Sequence, residues 1–136
     1  MKPWWLVCVV GIGGTLAGQG GLDQAAARAR SAWLAHDPAA LLAGSPGVTL
    51  EIPGADPSSA IGRDQAGELL GRYLRTSQEH SVDVRVAREM AEGQGFVELE
   101  RRFTVAGTTE QRHETVFLGL RRRGGQWVVV ELRTSR

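Results

Sequence analysis

The chain has 136 residues, of which 42% are hydrophobic and 23% charged, with a formal net charge of +1 at pH 7. That is enough for one soluble domain around one core, and too little for two. The only lysine is Lys2, and beyond residue 17 fifteen arginines face fifteen acids, a balance that gives no electrostatic ground for nucleic acid or an anionic membrane as a partner.

Lys2 is followed by an apolar run from Trp4 to Ala17 and then by Gly18-Gln19-Gly20-Gly21. A positive start, a short apolar core and small residues near Ala17 describe a secretory signal peptide over residues 1–17, cut after Ala17, with a domain over 18–136. Fourteen helical residues span about 21 Å, short of the roughly 30 Å hydrocarbon layer, which argues against a retained membrane anchor. The implied location is periplasmic or secreted. Cys8, the only cysteine, would leave with the leader, so no disulfide or thiolate metal site is expected in the mature protein.

Leu22 to His36 reads as an amphipathic helix, with Leu22, Ala26, Ala29 and Trp33 on one face and Trp33 as its aromatic anchor. Asp37 and Pro38 stop it and open a short helix to Ala43, with Asp37 as N-cap and Pro38 at the first position. Val48, Leu50 and Ile52 alternate with Thr49 and Glu51 as a short strand, and a second minor strand is expected in the loop before Gly62. Arg63 to Arg75 is the third helix. Gly67 and Gly71 inside it cost about 1 kcal/mol each relative to alanine, which suggests close packing on a neighbour.

The remainder reads as four antiparallel strands in a meander: Ser81 to Glu92, Gly95 to Ala106, Gln111 to Arg123 and Gln126 to Thr134. Gly93-Gln94-Gly95, Gly107-Thr108-Thr109 and Gly124-Gly125 supply the turn chemistry between them. The fold class is therefore α+β. Trp127 to Val130 is apolar on both faces of the last strand, so something must cover its outer side, and a homodimer through the convex face of the sheet is expected.

This order of elements resembles the nuclear transport factor 2-like superfamily, which includes the polyketide cyclase and ketosteroid isomerase branches. The residues that carry the resemblance are Trp33 to Leu42, Val48 to Gly54, and Ile61 to Gln65 at the start of the third helix. It implies a cone, in which a strongly curved sheet wraps the helices and leaves a pocket at the wide end. The isomerase set of a carboxylate base, a tyrosine and a donor acid falls at Ile52, near Ala29 and near Phe117, none of which can do that chemistry. Glu51 is one residue from the base position, but alternation places it on the opposite face.

The candidate pocket residues are polar interruptions of apolar faces and the aromatics beside them. Arg101 is in phase with Val97, Leu99 and Phe103, and Arg88 with Val82, Val84 and Val86. If both faces are concave, two guanidinium groups line the pocket, and each needs a carboxylate, a carbonyl or an anionic small molecule. The competing reading places them near strand ends or after a bulge, where they reach water or pair with Glu89, Glu98 or Glu100. His113 shares a face with Thr115 and Phe117, which the resemblance implies is concave, while Val116, Leu118 and Leu120 make the opposite face the more apolar one. On the first choice His113 is a candidate base for a cyclase, dehydratase or hydrolase. Trp33 and Tyr73 belong to the pocket wall or to the core, and His36 and His80 to a helix end and a loop. No cofactor motif and no metal-ligand spacing is present. Arg121-Arg122-Arg123 reads as a solvated strand end. The expectation is an exported domain that binds a small organic molecule or serves as an interaction module.

Overall fold

The computed structural model describes residues 10–57 and 59–135, with side chains from residue 21 onward. The expected leader at 1–17 lies largely outside these residues. Helix α1 (Val10–Leu34) begins twelve residues before the expected start at Leu22. At Gly21 it packs against the sheet, where an added Cβ would lie 3.5 Å from Trp127 Nε1. No helix of the described residues is long and apolar enough to cross a membrane.

His36 takes a left-handed φ of 53° and turns the chain out of α1. Asp37 then caps α2 (Pro38–Leu41), its carboxylate accepting from the Ala40 N–H at 3.1 Å, with Pro38 opening the helix as expected. Strand β1 (Thr49–Glu51) follows. The second minor strand is reduced to one antiparallel bridge between Val48 and Ile61. Helix α3 (Arg63–Leu74) buries Ala66, Leu70 and Leu74. Of its internal glycines only Gly71 approaches a neighbour, a Cβ there sitting 3.4 Å from Pro38 Cγ, whereas a Cβ on Gly67 would be 4.0 Å from Pro38 Cβ.

Strands β2 (Ser77–Ala91), β3 (Gln94–Val105), β4 (Gln111–Arg123) and β5 (Gln126–Ser135) form the meander, and the sheet order is β1-β5-β4-β3-β2. β1 runs parallel to β5, pairing Leu50 with Leu132. The inner face carries Val97, Leu99, Val116, Leu118, Val129 and Leu132, all buried against Leu22, Ala26, Trp33, Leu70 and Leu74 of the helices.

Three departures from strict alternation interrupt β2, the last between Glu89 and Ala91 at its end, and the first two reset its faces. The register against β3 shifts between Glu79 and Ser81 and again between Val84 and Val86. The first shift puts Glu79, paired with Phe103, on the same inner face as Val82, paired with Arg101. The second turns Val86 outward and brings Ala87 inward, opposite Val97. A bulge inserts one residue and inverts the side-chain phase beyond it.

The outer side of β5 is partly covered by the chain itself. Val128 is 5% exposed because Gly44 lies against it, a Cβ there falling 3.0 Å from Val128 Cγ1. Ser45 Oγ donates to the Val129 carbonyl beside it. The apolar outer side of Val128 therefore needs no second copy to cover it.

Candidate functional site

Arg101 is 0% exposed and, after Trp33, the largest fully buried side chain among the described residues. An unpaired guanidinium in a core is prohibitively costly, so its partners define the centre of the molecule. Nε donates to Glu79 Oε1 at 2.8 Å and Nη2 to Glu79 Oε2 at 2.6 Å, a two-pronged pairing. Nη2 also donates to Ser77 Oγ at 2.6 Å, and Nη1 to Glu114 Oε1 at 2.6 Å and to the Tyr73 hydroxyl at 3.2 Å. All five N–H donors of the guanidinium are thus engaged by protein acceptors. Its Cζ lies 3.6 Å from the Phe103 ring centroid, 5.2 Å from Trp33 and 5.6 Å from Tyr73.

The carboxylates are equally occupied. Glu79 accepts from Trp33 Nε1–H at 3.1 Å and from Ser77 Oγ at 2.9 Å, and His36 Nε2 lies 3.3 Å from its Oε2. The Tyr73 hydroxyl donates to Glu114 at 2.6 Å. Burial pushes the Glu79 carboxyl up, but the hydrogen bonds and charge of Arg101, with Ser77 and His36, outweigh it and hold the group below the usual carboxylate range. Tyr73 moves the other way: burial and the adjacent Glu114 carboxylate push its hydroxyl well above the ordinary tyrosine value.

Beside Tyr73 a cleft of about 150 Å³ opens between the end of β1 and α3, lined by Ile52, Gly54, Leu69, Arg72, Tyr73 and Thr76.

No protein-family model and no curated protein matches the sequence. Among solved structures the chain is similar to a ketosteroid isomerase-like protein from Erwinia carotovora atroseptica, 20% identical, with a TM-score of 0.70 over 85% of this chain and 93% of that one. The chain has the nuclear transport factor 2-like fold. A DUF4783 family protein from Bacteroides ovatus shares it at 14% identity and TM-score 0.63, covering 79% of this chain and 91% of that one. A hypothetical protein with the ketosteroid isomerase-like fold from Catenulispora acidiphila, solved in complex with trimethylamine, is 18% identical with a TM-score of 0.60 over 82% and 84% of the two chains.

In this nuclear transport factor 2-like cone, Trp33, Tyr73, Arg101 and Phe103 come together in the interior, while Arg88, His113 and Phe117 do not join them. Arg101 pairs with Glu79 and Glu114 rather than with Glu89, Glu98 or Glu100. Arg88 is exposed on the outer face opposite Phe96, because the bulge before Val86 inverts the phase that aligned it with Val82. On β4 the inner residues are Glu114, Val116, Leu118 and Leu120. His113 is therefore exposed on the outer face opposite Arg102, and Phe117 stacks on Phe96 there with ring centroids 6.0 Å apart. The alignment that put a donor acid near Phe117 fails for the same reason, whereas Ile52 is buried and Glu51 exposed, as alternation required. His80 belongs to β2, not a loop, but is exposed.

Sequence reasoning missed Ser77, Glu79 and Glu114. Glu114 had a legible signal, since it is in phase with Val116, Leu118 and Leu120. Glu79 had none, because the irregularity at His80 hides its shared face with Val82.

Proposed function

We propose that this chain is an exported, non-catalytic interaction domain in which the interior of the cone is a structural element. The observation that carries the reading is the saturation of Arg101: five donors on Glu79, Glu114, Ser77 and Tyr73, closed over by Trp33, Tyr73 and Phe103. Pockets for small organic molecules commonly enclose about 300–1,000 Å³, and the cleft beside Tyr73 has about 150 Å³. An anion in the cone would have to displace a carboxylate that is already hydrogen-bonded to the same guanidinium. His113, on the outer face, has no access to that interior. Export is supported by Lys2 and the apolar run to Ala17. Self-association through the convex face is supported by the half-buried Phe96–Phe117 stack at the middle of the sheet.

The test is the structure of the mature protein purified from its native compartment. Continuous packing between Tyr73 and Phe103 and an N-terminus at Gly18 are the expected results. Ligand density in that space would overturn the interaction reading, and a chain that retains Met1 would overturn export. Light scattering that shows a strict monomer at high micromolar concentration would overturn self-association.

A further inference from the structure

A groove of about 540 Å³ runs along the outer face where β1 meets β5, lined by Gly47, Thr49, Arg121, Arg123, Val130 and Glu131, among others. Its charge arrangement follows from strand alternation at the end of β4. Arg122 turns inward, where its guanidinium lies 5.3 Å from the Trp127 ring centroid and 3.9 Å from a Glu89 carboxylate oxygen. Its backbone N–H donates to the Gly93 carbonyl at 2.9 Å, which ties the strand end to the neighbouring hairpin. Arg121 and Arg123 are thereby fixed on the opposite face, with Cα atoms about 7 Å apart as alternate residues of one strand.

Both are exposed, and neither has an ion-pair partner among the described residues. The acid of the groove, Glu131, makes no ion pair with either of them. Glu131 pairs with Gly119, one outward step along β4 from Arg121, and its Oε1 lies 3.1 Å from where a Gly119 Cβ would be. The missing side chain at Gly119 gives that carboxylate its seat. The groove therefore presents a negative charge and then two positive charges in a row, over a floor that includes Val130, with the loop at Pro46 and Gly47 and the residue Ala60 forming its wall.

We propose that this groove binds a soluble phosphomonoester, its dianionic phosphate on Arg121 and Arg123 and its organic part on Val130, Pro46 and Ala60. Two neighbouring guanidinium groups match a dianion in charge, and each offers the parallel N–H pair that oxyanions accept. The carboxylate of Glu131 disfavours an extended anionic surface such as a membrane or a polyanion, which would have to lie over it. The site is on the outer face and shares no residue with the Arg101 cluster, so it stands or falls separately from the reading of the interior.

The experiment is an NMR titration of the intact domain with phenyl phosphate, inorganic phosphate and benzoate. Saturable shifts confined to 46–49, 60, 119–123 and 130–131 are expected, strongest for phenyl phosphate and weakest for benzoate. The Arg121→Gln/Arg123→Gln double variant should lose about tenfold or more in affinity. Glu131→Gln should bind severalfold more tightly, and Arg28→Gln, on α1, should bind as the parent does. All of these substitutions are at exposed positions, and an unchanged amide spectrum shows that the fold is kept. No saturable shift, affinity indifferent to the double variant, weaker binding by Glu131→Gln, or binding only to vesicles that carry phosphatidic acid would each overturn the proposal.

Discussion

Replacing Arg101 with methionine should be among the most damaging single changes in the molecule. The substitution keeps the unbranched apolar stem but removes all five donated hydrogen bonds. It strands the carboxyl groups of Glu79 and Glu114, with side chains 4% and 2% exposed, without the cation that made their burial tolerable. Breaking a buried ion pair from one side costs about 3–5 kcal/mol. A domain of this size holds about 5–15 kcal/mol in total, so Tm should fall by roughly 10–20 °C. Urea unfolding followed by tryptophan fluorescence and circular dichroism gives the free energy directly. A companion variant, Arg101→Met with Glu79→Leu and Glu114→Leu, removes the stranded carboxylates and should recover a large part of the loss, because an apolar set of similar volume often replaces a buried ion cluster without penalty. A loss below about 1 kcal/mol for the single variant would refute the reasoning: Arg101 would then be a solvated cation, of the kind a ligand pocket keeps.

Acid should destabilise the domain through the same cluster. Glu79 is held below its ordinary value when folded, so its contribution is present above the unfolded carboxylate range and is lost as pH falls through the folded value. The urea midpoint should drop between pH 5 and 3, and Glu79→Gln should flatten that slope. At the alkaline end the sign follows from a raised pKa: Tyr73 contributes fully below the ordinary tyrosine value near 10, and that stability erodes as pH rises above it. Tyr73 is the only tyrosine, so phenolate absorbance reports it alone and should appear only as the protein unfolds. Gly95→Ala should cost about 1–3 kcal/mol in thermal denaturation, because the new Cβ would fall 2.9 Å from Leu22 Cδ1 and 3.2 Å from Trp127 Cζ3, two buried side chains pressed together at that point.

How far the sequence reveals this fold depends on how regular each strand is. On β3, unbroken alternation places Val97, Leu99, Arg101 and Phe103 on one buried face, and the sequence reads it correctly. On β2, each inserted residue reverses the phase, so Arg88 reads as inward and is outward, while Glu79 falls outside the expected strand altogether. β4 was ambiguous because both faces carry apolar residues. The charge of Glu114 hid the fact that its face is the inner one, since an acid in a core is credible only once its cation is known. The buried Arg101 was therefore legible as a question, and its answer lay in two residues that only the assembled sheet brings near. The Asp37 cap with Pro38 at the first position of α2 is a local effect and follows from the sequence alone, whereas Gly71 signals a close neighbour without saying that it is Pro38.

The parallel pairing of β1 with β5 has a consequence for the order in which the molecule is made. Thr49 to Glu51 hydrogen-bond beside Glu131 to Arg133, and Ser45 reaches Val129 across 84 positions of chain. Contacts so distant in sequence close late, because the loop entropy must be spent before they form. A ribosome-bound chain in which β5 has not yet emerged has neither a partner for β1 nor the Trp127 surface on which Gly21 rests. The domain therefore stays open until β5 has emerged, and truncations that remove β5 should prevent folding rather than merely weaken it.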